Sequence, residues 1–328
     1  MSRNQKKMVL FRITALLCCG LATNSAATAQ QLQALPVADA LNVRSFIALQ
    51  WMNFSSDGKW LAYLAKEEGN ATSADPESGI RAGVPPGLTG TDIYISNVET
   101  GQTRNLTNGK GSNWLPSWSP DGQRIAFLSD RDGSGQAKLW ICDLLNNNAR
   151  KVSDVNVRTD QIEWAFNGQQ LLVTVVPDGL SVENYVKRVL SGEPSLKTVV
   201  DRASGSTVML YQSSGNVSKE PPTSPPWNLD ALLRDLALVD VANGKTQIIV
   251  HGHRIAHFSL APDGTSVAYT IPKRFEKAGS QQTLFDLAIV APNEKQGRVI
   301  VSDVRFDYDG SEFSWSPNSK YLSYHTGG

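Results

Sequence analysis

Short apolar runs, each closed by a cluster of Ser, Pro, Asp, Asn or Gly, recur along most of the chain. The clearest lies in Leu115–Gly133, LPSWSPDGQRIAFLSDRDG. Ser119-Pro120-Asp121-Gly122 predicts a tight turn. Pro120 pre-sets the φ of a turn's second position, the Asp121 carboxylate can accept from a nearby backbone N–H, and Gly122 takes the positive φ that a Cβ disfavours. The run Ile125-Ala126-Phe127-Leu128 predicts a strand buried on both faces. Asp130-Arg131-Asp132-Gly133 turns the chain again, and Leu139-Trp140-Ile141 supplies the next strand.

The unit repeats. Phe54-Ser55-Ser56-Asp57-Gly58 runs into Trp60-Leu61-Ala62-Tyr63, and Phe258-Ser259-Leu260-Ala261-Pro262-Asp263-Gly264 into Val267-Ala268-Tyr269. Phe313-Ser314-Trp315-Ser316-Pro317-Asn318-Ser319 precedes Tyr321-Leu322-Ser323-Tyr324. A decayed copy, Ile162-Glu163-Trp164-Ala165-Phe166-Asn167-Gly168, precedes Leu171-Leu172-Val173. Repeats of this size imply a solenoid, propeller or array. Several short strands per unit, with a turn in each hairpin, favour an all-β fold: a β-propeller of four-stranded blades, about five to six of them or an incomplete ring.

The propeller is expected over 51–328, with repeats near 51–65, 114–142, 161–176, 256–270 and 312–325 and a lead-in segment over 30–50. Val37, Leu41 and the Phe46-Ile47 pair suggest a short helix over Val37–Leu49. Glu67–Gly90, with Pro85-Pro86-Gly87 inside it, reads as a long loop. A helix and loop insertion is expected near 178–230. In its first part Val182, Tyr185, Val186, Val189 and Leu190 fall on one side of a helix spanning Ser181–Gly192, with Ser181 as N-cap and Gly192 as stop. In its second part the prolines of Ser213–Trp227 exclude a central strand. Asp235–Val241 and Lys245–Val250 read as a hairpin. The last repeat stops in mid-blade, which predicts an unpaired strand edge and points to a truncated reading frame or a partial gene product.

Charge narrows the partners. Among 328 residues, 31 basic and 31 acidic side chains balance, so nothing favours nucleic acid or an anionic membrane surface. Arg3, Lys6 and Lys7 precede a mostly apolar stretch, Met8–Ala22, and Ala27-Thr28-Ala29 is a cleavage pattern. Residues 1–29 therefore read as a signal peptide cleaved after Ala29. The apolar run is short for a membrane span of about 20 residues. The mature chain would be periplasmic or secreted, with no stable anchor. Cys18 and Cys19 leave with the leader, and Cys142 reads as a small buried thiol.

The W-S-P-D-G-x-x-I-A-F-x-S-D-R-D-G signature of Trp118–Gly133 resembles the repeat shared by TolB-type periplasmic proteins and the prolyl oligopeptidase family of serine peptidases (S9). Leu35-Pro36-Val37-Ala38-Asp39-Ala40-Leu41-Asn42-Val43-Arg44, running on to Asp57-Gly58-Lys59-Trp60-Leu61-Ala62-Tyr63, is similar to the start of bacterial members of that family. The resemblance implies a propeller that caps an α/β-hydrolase domain, gates short peptides and contributes substrate contacts from its rim. The alternative is a stand-alone TolB-like propeller that binds a protein or peptide. About 20 residues separate the leader from the first repeat, fewer than the small α/β domain found there in TolB.

No window matches the nucleophile elbow G-x-S-x-G, and Ser134 between Gly133 and Gly135 lies in a hairpin turn. His251, His253 and His257 cluster about one predicted strand, with His251 and His253 expected on one face, but no Cys pair or H-E-x-x-H accompanies them. Asp130-x-Asp132-x-Ser134 opens like a calcium loop, yet its twelfth position is Ile141. Glu67-Glu68 invites comparison with the glutamate pair of dipeptidyl peptidases but stands at a loop start without the aromatic setting. The sequence therefore assigns no catalytic, cofactor-binding or metal residue and no cofactor. A serine peptidase activity is expected only of a longer relative.

Overall fold

A computed structural model describes residues 44–46, 52–67, 81–85, 87–190, 229–276, 282–294, 297–307 and 309–326. These all belong to the unit Leu41–Gly328; a second unit, Met1–Ala40, lies outside them. The described residues form five antiparallel sheets in chain order. In the first, β1 (Arg44–Phe46) and β2 (Asn53–Phe54) share one edge of β3 (Trp60–Glu67), which is followed by β4 (Asp92–Asn97) and β5 (Thr103–Asn105). The second is β6 (Asn113–Trp118), β7 (Arg124–Ser129), β8 (Lys138–Asp143) and β9 (Asn148–Lys151). The third is β10 (Glu163–Ala165), β11 (Gln170–Val175), β12 (Leu233–Asp240) and β13 (Thr246–Arg254). The fourth is β14 (Phe258–Leu260), β15 (Val267–Phe275), β16 (Thr283–Val290) and β17 (Arg298–Arg305). The fifth pairs β18 (Phe313–Trp315) with β19 (Leu322–Tyr324). First strands of successive sheets touch: β2 meets β6, β6 meets β10, and β10 meets β14. These are propeller blades.

The repeated turn explains why the first two strands of a blade pair as they do. In Ser119–Gly122 the Gly122 N–H donates to the Ser119 carbonyl at 2.9 Å, with Gly122 at φ 67°. The Asp121 carboxylate accepts from the Ser119 hydroxyl (2.5 Å) and the Gln123 N–H (3.0 Å), while Ser119 Oγ accepts from the Arg124 N–H (2.9 Å). Ser55 and Asp57 build the same cage, as do Ser316 and Asn318. Asp57 and Asp121 consequently lie below the usual carboxylate range, chiefly through the serine hydroxyl.

The second strand carries the core of each blade. Ile125, Ala126 and Phe127 of β7, Leu171, Leu172 and Val173 of β11, and Val267, Ala268 and Tyr269 of β15 are all 0–2% exposed. Each runs between two neighbouring strands and under adjoining blades, as the continuous apolar runs predict. Burying one Leu or Phe contributes about 1.5–3 kcal/mol relative to exposure.

Helix α1 (Val182–Leu190) begins as expected: Ser181 Oγ accepts from the Asn184 N–H at 3.2 Å, and Tyr185 and Val186 are buried against Val176. Gly192 and Ser213–Trp227 lie outside the described residues. The helix expected over Val37–Leu49 is not what the described part adopts. Arg44, Ser45 and Phe46 are extended and pair with Glu67, Lys66 and Ala65. The open edge of β3 offers that backbone a ladder, and tertiary pairing overrides a weak apolar periodicity.

Candidate functional site

Hydrogen bonds between first strands stitch the blades together. Asn53 Nδ2 donates to the Pro116 carbonyl (2.7 Å), and Trp118 Nε1 returns a bond to the Asn53 carbonyl (2.9 Å). Ser117 Oγ donates to the Ile162 carbonyl and Trp164 Nε1 to the Ser117 carbonyl, both at 3.0 Å. Trp315 Nε1 donates to the Ser259 carbonyl at 3.0 Å. The column is thus Phe54, Trp118, Trp164, Leu260, Trp315; Phe54, in the first sheet, and Leu260, at the joint between the third and fourth blades, have no side-chain donor.

That joint is built differently. Gln161 Nε2 donates to the Phe258 carbonyl (2.6 Å), and the Leu260 N–H donates to Glu163 Oε2 (2.7 Å). Gln161 Nε2 also donates to Glu163 Oε1 at 3.1 Å. Burial pushes the Glu163 carboxyl up to about 7, against the opposing pull of the Leu260 N–H and the Gln161 amide. A carboxyl group with no basic partner among the described residues therefore occupies the position that Asn53, Ser117, Ser259 and Ser314 fill in the other blades.

A second cluster gathers where strands of the third blade meet their connections. Arg158, 8% exposed, donates from Nη1 to the Val157 carbonyl and from Nη2 to the Arg81 carbonyl and Gln136 Oε1, at 2.9–3.0 Å. Its guanidinium lies 5.8 Å from the Tyr185 ring centroid. A Cβ at Gly83 would stand 2.2 Å from Arg158 Nη1, so only glycine lets the guanidinium lie there. Burial lowers Arg158 to about 10; Tyr185 opposes that shift and Arg234 adds to it. Arg158 thus ties the connection before β10 to the segment around Arg81, the β7–β8 loop and α1. Beside it, Arg234 Nη1 donates to Asp160 Oδ2 (2.7 Å), and the Tyr185 hydroxyl donates to the Ala231 carbonyl (3.1 Å).

Asp235, fully buried, accepts from the Gly252 N–H (2.6 Å) and the Asp178 N–H (2.8 Å), and its Oδ2 lies 2.8 Å from His251 Nδ1. A carboxylate only accepts, so His251 Nδ1 donates to Asp235, from a ring that is 61% exposed. No Ser, Thr or Cys side chain bonds to His251 among the described residues, so the contact with Asp235 orients the ring without a nucleophile beside it there.

The other residues weighed from sequence are scattered. Gly252 has φ 66° and the β12–β13 register shifts near it, so strict alternation between His251 and His253 is broken. His257 lies just before β14, its imidazole lowered by burial and edge-on to Phe313 at 5.5 Å. Among the described residues no three His, Cys, Asp or Glu side chains converge as metal ligands. Asp130 accepts from the Ser112 N–H and Asp132 pairs with Lys151, so these carboxylates fasten loops. Ser134 closes the β7–β8 turn. Cys142 is buried in β8, Glu67 ends β3, and Glu68 lies outside the described residues. Sequence reading passed over Arg158 and Asp235, whose partners are distant in the chain. Glu163 had a visible signal: it is the acid in a column of neutral residues.

Residues 88–225 match the family model described as the TolB beta propeller domain (PD40). Over that stretch the chain carries a TolB-type propeller domain. That propeller is 35% identical over 98 residues to the uncharacterized peptidase YuxL of Bacillus subtilis, covering 30% of this chain and 15% of the relative. It is 33% identical over 131 residues to dipeptidyl-peptidase 5 of Porphyromonas gingivalis, covering 38% and 17%. The Tol-Pal system protein TolB of Francisella tularensis is 23% identical over 227 residues, covering 66% and 44%. In each case the match spans less than half of the relative's length. The PD40 propeller is therefore related both to peptidase propeller regions and to TolB.

Proposed function

We propose that this chain is the non-catalytic propeller part of an exported serine peptidase of the prolyl oligopeptidase family. The observation that carries this reading is the pair of matches to peptidases at 35% and 33% identity. In this role the propeller gates and helps hold short peptides, while an α/β-hydrolase domain supplies the serine, base and oxyanion hole. Residues 1–29 act as a leader, and the mature chain, beginning at Gln30, works in the periplasm or outside the cell without a cofactor or nucleic acid.

The test is a fluorophosphonate probe, which labels activated serines, applied with dipeptidyl p-nitroanilides to the purified chain. The expected result is no labelling and no turnover. Labelling abolished by one serine substitution refutes the non-catalytic reading. The second reading, a stand-alone TolB-like propeller that binds a protein or peptide, is favoured by the 227-residue match to TolB, the longest of the three. Capture of a defined protein partner by the chain alone, with no affinity for short peptides, decides for it.

A further inference from the structure

Two blades carry long links between their second and third strands. Residues 68–91 join β3 to β4 and 176–232 join β11 to β12, whereas 130–137 and 276–282 serve the second and fourth blades. Each of these blades repeats one strand order, so all four links leave the same end of the array. From the first blade's link, the Ala82 carbonyl accepts from the Ala137 N–H of the β7–β8 loop at 2.6 Å, and Val84 and Leu88 are buried in one core cluster with Ala137 and Val157. From the third blade's link, α1 buries Tyr185 and Val186 against Val176, and the Tyr185 hydroxyl fastens it to the Ala231 carbonyl.

Arg158 stands where the two links meet over the second blade. Its Nη2 donates to the Arg81 carbonyl of the first link at 2.9 Å and to Gln136 Oε1 of the β7–β8 loop at 3.0 Å, and Nη1 donates to the Val157 carbonyl. The same guanidinium faces the Tyr185 ring of the third blade's link, 5.8 Å from its centroid. A planar fork with donors on both arms lets one side chain hold these acceptors and lie against a ring; an ammonium has neither the fork nor the plane. Arg81 also lies near α1: the Glu183 carboxyl is held below the usual carboxylate range by Lys187 first and by Arg81 more weakly.

We propose that Arg158 couples the links of the first and third blades into a single strap across the second blade, so that order in one requires order in the other. The strap consists of 81–85 and 87–91 on one side, the β7–β8 loop beneath, and α1 on the other. The first link meets the guanidinium through a hydrogen bond and the third through the Tyr185 ring. Loosening α1 removes the ring that confines the guanidinium, and the Arg81 carbonyl then loses a donor held in place. Such coupling is reciprocal. A ligand or partner domain that orders one link therefore orders both, whether the propeller caps a hydrolase domain or stands alone.

Hydrogen exchange read by mass spectrometry on the full chain tests the coupling. The Leu88 and Thr91 N–H groups bond to the Pro85 and Leu88 carbonyls, and the Tyr185 N–H to the Ser181 carbonyl, so exchange reports order in each link. Tyr185→Ala perturbs α1 directly. It should speed exchange in α1 and, about five- to tenfold, over 82–91, with β7 and β11 unchanged. In an Arg158→Gln background 82–91 should already exchange faster, and adding Tyr185→Ala should move α1 alone. Gly83→Ala gives the reciprocal arm, since its Cβ would stand 2.2 Å from Arg158 Nη1, and α1 should then exchange faster. That arm decides the matter should Tyr185→Ala unfold the third blade. The proposal is overturned if 82–91 is unmoved by Tyr185→Ala, or moves equally with and without Arg158, or if Gly83→Ala leaves α1 unchanged.

Discussion

Glu163→Gln tests the physics of the joint between the third and fourth blades. The carboxyl is raised from an ordinary 4.5 to about 7 in the folded chain, mainly by burial. A folded value above the unfolded one means that the native state holds its proton where the unfolded state has lost it. The resulting stability is full below pH 4.5, falls as pH rises toward 7, and is gone above that. With 1.36 kcal/mol per pKa unit, linkage between pH 5 and pH 8 amounts to about 2 kcal/mol, after allowance for the partial exposure of the residue. Glutamine removes the titration while keeping an acceptor for the Leu260 N–H. Urea unfolding, followed by tryptophan fluorescence at pH 5 and pH 8, gives each protein's loss of stability across the interval. The chain should lose about 2 kcal/mol more than Glu163→Gln, and the variant should be the more stable at pH 8. Other groups cancel in this comparison, including His257, whose lowered value acts in the opposite sense. Parallel pH dependence of the two proteins would refute the claim that Glu163 is a desolvated acid at a blade joint.

Two smaller perturbations test turn geometry. Gly244 (φ +73°) and Gly58 (φ +70°) share a left-handed backbone, but a Cβ at 244 would stand 2.2 Å from the Val152 carbonyl oxygen, whereas at 58 nothing lies within 4 Å. Gly58→Ala should cost about 1 kcal/mol and Gly244→Ala more than about 3, by urea unfolding; equal costs would deny the close approach. Asp121→Ala should cost about 1–2 kcal/mol near neutrality by breaking the turn cage. Since the folded carboxyl is depressed, that advantage is present above the ordinary carboxylate value and lost as pH falls through the folded one, so stability curves of the two proteins should converge in strong acid.

What sequence could reveal follows from distance along the chain. The Ser-x-Asp-Gly cage is closed by residues within five positions of each other, so its chemistry is written locally and reads directly, as does the Ser181 cap on α1. The buried second strands are equally legible, since a continuous apolar run needs cover on both faces. Bonds between blades are not: Arg150 reaches Val241 across 91 positions and Asn53 reaches Pro116 across 63. Arg158 shows the same limit more sharply. Nothing near it in sequence signals that Gly83, Gln136 and Tyr185 leave room for, bond and face one guanidinium.

Repetition recovers part of what distance hides. Once strand register aligns the blades, each position is measured against its counterparts, and a departure becomes a physical statement. Leu260 and Glu163 are one departure rather than two. An indole at 260 would donate to the Glu163 carbonyl, as Trp164 does to Ser117 and Trp315 to Ser259. Without it, the joint needs other contacts, and the Gln161 amide and Glu163 carboxylate supply them along the backbone of β14. In a repeat fold, stability is close to a sum over nearest-neighbour interfaces. Glu163 therefore gives the interface between the third and fourth blades a loss of stability as pH rises toward 7. The corresponding first-strand bonds of the other joints are made by indoles, a hydroxyl and an amide.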